Sequence, residues 1–81
     1  MTLEEAKALK VGDLVRYATT NKSIETIEVV VVEWDKQRPD RYNASLRLVT
    51  LAILRDEWKE REVGAEGWIN TNNCHWFEKI A

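Results

Sequence analysis

The run Lys10-Val11-Gly12-Asp13-Leu14-Val15-Arg16-Tyr17 constrains this chain more than any other stretch. Gly12 and Asp13 end whatever precedes them and permit a sharp turn, and the residues that follow alternate with the two-residue period of a half-buried strand. Ahead of the turn, Thr2 and Glu5 have the spacing of a capping box. Glu4 and Glu5 lie where a helix dipole favours acids, and Lys7 and Lys10 where it favours bases. Leu3, Ala6 and Leu9 recur at close to one helical turn. The spacing predicts a short helix over residues 3–9, ended by Gly12, and a first strand over 14–18. That spacing would let the short helix lie across one open end of a barrel.

The second strand is the clearest. Residues 24–34 are dominated by Ile, Val and Thr. Their unbroken Val29-Val30-Val31-Val32 run predicts a central strand covered on both faces, or one that twists between two packing environments. Residues 35–43 hold the only proline, three basic residues and two aspartates, the composition of a solvated, projecting loop. Residues 45–54 then alternate imperfectly through Leu46, Leu48, Val49, Leu51 and Ile53, and are expected to pair with the valine strand as a bent hairpin.

Over residues 56–63 two periods compete. Glu57 and Arg61 have helical spacing, whereas Trp58, Glu60 and Glu62 alternate with Lys59, Arg61 and Val63, and the alternation favours a strand. Gly64 and Gly67 flank a tight turn, and Trp68-Ile69 begins a short strand. Asn70-Thr71-Asn72-Asn73 supplies residues that tolerate left-handed backbone, and Trp76, Phe77 and Ile80 close the fold. The expected architecture is mainly β: a small barrel of about five strands with a short N-terminal helix, forming one domain over residues 1–81.

A domain of this size buries a little over ~60% of the surface its unfolded chain exposes, so its core must be aromatic-rich. Trp34, Trp58, Trp68, Trp76, Tyr17, Tyr42 and Phe77 supply the aromatics, with Trp34 and Trp76 read as core. Twelve basic residues against 14 acidic ones give a net charge of −2, which removes the general attraction of a basic domain to phosphate backbones. Cys74 is the single cysteine, so neither an internal disulfide nor a two-thiol metal or redox site can form. Met1 to Leu9 has no apolar block of the signal-peptide kind, and no apolar run approaches the ~18 residues of a membrane span. A cytoplasmic setting without membrane association is the expectation.

The order of a short helix, a Val-Gly-Asp-Leu-Val-Arg-Tyr strand entry over residues 11–17, a long hairpin and a terminal Trp-Ile…Phe-Glu-Lys-Ile segment resembles small SH3-like barrels, many of them encoded by bacteriophages. The match is residue by residue only over Lys10 to Tyr17 and Phe77 to Ile80. The resemblance implies the barrel fold and an accessory factor that binds and modulates, or inhibits, a host or viral protein. Nucleic-acid-binding barrels of this kind usually offer basic or glycine-rich loops, whereas here Asp35 and Asp40 are mixed among Lys36, Arg38 and Arg41.

Catalytic patterns are sparse. Cys74-His75 is the one nucleophile-and-base pair, but neighbours on a strand point to opposite faces, which favours a packed cysteine beside a partly exposed histidine. One Cys and one His are too few for a zinc site. The carboxylate pairs Glu4-Glu5, Asp56-Glu57 and Glu60 with Glu62 lie in charge-rich stretches that read as solvated surface. Neither a phosphate-cradling glycine loop nor any cofactor motif is present. Tyr17, Tyr42, Trp58 and Trp68 would form an aromatic cage or stacking platform only if they converged.

The reading that follows is a non-enzymatic protein-binding module, with Arg38, Arg41, Tyr42, Trp58 and Trp68 as the contact set, since tryptophan in excess of core needs suits interface anchors. Nucleic-acid binding through Lys36, Arg38, Arg41, Arg47 and Arg55 is the alternative; an enzyme resting on Cys74 and His75 or on a carboxylate pair comes third, and self-association through the valine strand or an open barrel edge is a further reading.

Overall fold

The capping box forms as its spacing predicts: Glu5 N donates to Thr2 Oγ1 (3.2 Å) and Thr2 N to Glu5 Oε1 (3.0 Å). It opens helix α1, Leu3–Lys7. The helix is shorter than residues 3–9, because Ala8 already caps it and a tight turn, with Leu9 N donating to Ala6 O (3.1 Å), brings Leu9 to the core. Gly12 then takes a left-handed φ of 95°, which a side chain would strain. Its N–H donates to Val30 O (2.8 Å), and Asp13 O accepts from Val30 N (2.9 Å), so the turn is stitched to the end of the second strand.

The computed structural model describes residues 1–34 and 45–81. The expected projecting loop at 35–43 lies outside them. Five strands, β1 (Leu14–Ala18), β2 (Ile24–Val30), β3 (Leu46–Asp56), β4 (Glu66–Ile69) and β5 (Phe77–Lys79), form one antiparallel sheet in the order β4-β3-β2-β1-β5. Among the described residues β4 and β5 do not pair with each other, so the sheet is open. β3 carries two extra residues against β2: Leu54 between the Glu25–Arg55 and Thr26–Ile53 pairs, and Leu51 between the Ile27–Ala52 and Glu28–Thr50 pairs. Such bulges bend a strand and sharpen its twist, and the side of the sheet that carries the core is its inner face.

On that inner face Val15, Val30, Leu46, Leu48, Ile69 and Phe77 pack with Ala6 and Leu9 beneath α1, and with Trp34 and Cys74. Trp34 is core, as its sequence position suggests, and its indole N–H donates to Ala6 O (2.6 Å), joining the strand end to the helix. Trp76 is not core. It is 41% exposed, because residues 74–76 form a 3-10 turn that sends Cys74 and Phe77 inward and Trp76 out, edge-on to Tyr17.

Three further expectations are corrected. β2 ends at Val30, and of the valine run only Val30 is buried while Val32 is exposed, so the described residues do not cover both faces. Residues 57–65 are neither strand nor helix. The Asp56 carboxylate accepts from Trp58 N (3.2 Å) and Arg61 N (2.6 Å), and this side-chain competition with backbone pairing turns the chain back. Asn70–Asn73 is held by side-chain amides, Asn70 Oδ1 accepting from Asn72 N and Asn73 N, without left-handed backbone. Among described non-glycine residues the positive φ values fall instead at Lys22 (56°) and Lys59 (54°).

Candidate functional site

Alternation along β2 offers two faces. One phase is Ile24, Thr26, Glu28 and Val30; the other is Glu25, Ile27, Val29 and, one residue past the strand, Val31. Hydrophobicity alone would bury the second. The structure buries the first, with Thr26 1% and Glu28 5% exposed, and leaves Ile27, Val29 and Val31 half-buried on the outer face. Register aligns Leu14, Val29 and Val49 in one row across β1, β2 and β3, and Ile27 beside Ala52 in the next. The exposed side chains of Leu51, Leu54 and Trp68 join this apolar face, Trp68 at the register position of Arg47. Leu51 and Leu54 are the two bulge residues, which alternation cannot assign to a face.

The inner face is correspondingly polar at one end. Tyr17, Glu28, Arg61, Gly67, Trp68, Asn73 and Phe77 line a pocket of about 100 Å³. Four strands, the loop after Asp56 and the turn before β5 each contribute to it. Thr50 Oγ1 donates to Glu28 Oε1 (3.3 Å), and the Arg61 guanidinium lies over the Tyr17 ring, 5.3 Å from its centre. Burial pushes the Glu28 carboxyl above its ordinary range, against the opposing pull of Arg61 and of the Thr50 hydrogen bond. Tyr17 also packs against Phe77 at 5.0 Å.

The predicted contact set divides. Trp68 is 54% exposed on the outer face, whereas Trp58, 58% exposed, sits past the far end of β3, so the two do not share a patch. Arg38, Arg41 and Tyr42 lie outside the described residues, as does Lys36. Tyr17 and Trp68 line the same pocket, but the ring contacts of Tyr17 are with Trp76 and Phe77, and Trp58 lies away from both. Arg47 and Arg55 are exposed on β3, Arg47 near Glu66 (3.9 Å) and Arg55 paired in register with Glu25, and between them lie Val49, Leu51, Ala52 and Leu54. Cys74 is buried in the core and His75 exposed against Trp76, on a 3-10 turn rather than the expected strand.

Sequence reasoning missed Glu28, Arg61 and Gly67. The signal for Glu28 was its phase with Ile24 and Val30, outweighed by the apolar residues of the opposite phase. Arg61 carried none, since its placement depends on the loop that Asp56 organises. Comparison with family models, curated proteins and solved structures gave no match.

Proposed function

We propose that the chain is a small non-enzymatic protein-binding module on an SH3-like barrel, an accessory factor that covers a site on a larger protein, of the kind the phage-encoded barrels suggest. The strand order, with β1 between β2 and β5, and the double-bulged β3 support the barrel reading. One observation carries the binding reading: the more apolar phase of β2 faces outward beside Val49, with Leu51 and Trp68 exposed on the neighbouring strands, while Thr26 and Glu28 face inward. A small domain has little apolar surface to spare from its core, and apolar side chains left on an outer face suit an interaction site. Trp68 is its anchor, with Leu51 and Val49 taking the place expected of Trp58. The nucleic-acid reading ranks second, because apolar residues separate Arg47 from Arg55 and Glu66 stands beside Arg47.

The test is a titration of a purified partner, isolated by stoichiometric capture, against three folded variants. Trp68→Ala and Leu51→Ser should each weaken binding by roughly 30-fold, the ~2 kcal/mol scale of an interface anchor. Trp58→Ala should leave affinity unchanged. Undiminished binding by Trp68→Ala and Leu51→Ser rejects this surface.

A further inference from the structure

The pocket beside Glu28 shares Trp68 with the outer face, but its chemistry points elsewhere. Glu28 is 5% exposed on the inner face, and Thr50 is its hydrogen-bond donor among the described residues. The nearest cation, Arg61, forms no ion pair with it among those residues; its guanidinium rests on the Tyr17 ring instead. A buried carboxylate without a direct counter-ion is costly, and a cation delivered to it recovers much of that cost. Opposite the carboxylate stands Gly67, where an added Cβ would meet only Glu28 Oε1, at 3.8 Å. The gap over the carboxylate is therefore set by the absence of a side chain. Tyr17 and Phe77 wall the pocket with aromatic surface.

We propose that this pocket receives the primary ammonium group of a lysine side chain from a partner polypeptide, which pairs with Glu28 while its aliphatic stem lies along Tyr17 and Phe77. An ammonium is a compact point charge that fits about 100 Å³, and it gains from an aromatic wall as well as from the carboxylate. Arg61 is the internal competitor. Its backbone N–H is fixed by Asp56, so the guanidinium can leave the Tyr17 ring without unfolding the loop. Trp68 lines this pocket as well as anchoring the outer face, so Glu28→Gln and Leu51→Ser, each of which alters one site alone, let either proposal fail without the other.

The experiment is an amide chemical-shift titration of the 81-residue protein with Nα-acetyl-lysine methylamide, and in parallel with putrescine, following Gly67, Thr50 and Arg61. Saturable shifts at these amides are expected. Arg61→Ala should tighten binding about tenfold by removing the competitor, the equivalent of ~1.4 kcal/mol. Glu28→Gln should lose the shifts, as should Gly67→Val, which fills the gap without altering charge and so separates loss of the site from loss of a carboxylate. Absence of shifts in Arg61→Ala, or shifts that persist in both Glu28→Gln and Gly67→Val, overturns the proposal. Putrescine binding more than the statistical twofold tighter overturns the polypeptide source in favour of a free amine.

Discussion

At Glu28 the fold and the charge oppose each other. Burial raises its pKa above the ordinary 4.5, so as pH falls from neutral the folded protein takes up this proton before the unfolded chain does. This group therefore contributes stability as pH falls through its raised value, and the penalty of its charge is fully present above it. Glu28→Gln is expected to stabilise the protein at neutral pH by about 1 kcal/mol, the low end of what replacing a poorly paired buried charge returns. Thermal melts over a pH series should show that advantage shrinking toward the ordinary carboxylate value; a variant melting lower than the parent at neutral pH would contradict the assignment. Trp34 is the opposite case, its N–H buried and satisfied by Ala6 O. Trp34→Phe removes that donor while Ala6 O keeps Leu9 N, so it should cost about 0.5–1.5 kcal/mol, the net value of one hydrogen bond, read from denaturant unfolding.

Among the elements, the loop after β3 depends on one carboxylate. Asp56→Ala removes the acceptor of both Trp58 N and Arg61 N, and should cost about 1–3 kcal/mol while freeing the Arg61 guanidinium from the Tyr17 ring. Faster amide exchange at Trp58 and Arg61 would report it. Lys22→Gly, at a left-handed position in the β1–β2 turn, should stabilise by up to about 1 kcal/mol. Elements whose signals are local were legible: the capping box, the Gly12-Asp13 turn and β1 over 14–18 fall where the sequence puts them. The loop at 57–65 was not, because Asp56 acts through side-chain acceptance rather than periodicity. The bulges at Leu51 and Leu54 were not either, because an extra residue inverts the alternation on which a face is assigned. Of the predicted contacts, Trp68 is on the apolar face and Trp58 is not, a distinction that required the register of β3 with β4.

Across the whole molecule, the sheet divides its duties between faces. The inner one holds the core under α1 and, at the other end, the Glu28 pocket; the outer one presents Ile27, Val29, Val49, Leu51 and Trp68. That division, rather than any catalytic constellation, is what the protein-binding account rests on. Methyl cross-saturation from a bound partner tests it most directly. The account predicts saturation transfer to the methyls of Ile27, Val29, Val49 and Leu51 and to the Trp68 indole. Transfer confined to Val63 and Trp58, or to Ile80 beside the β5 edge, would contradict it.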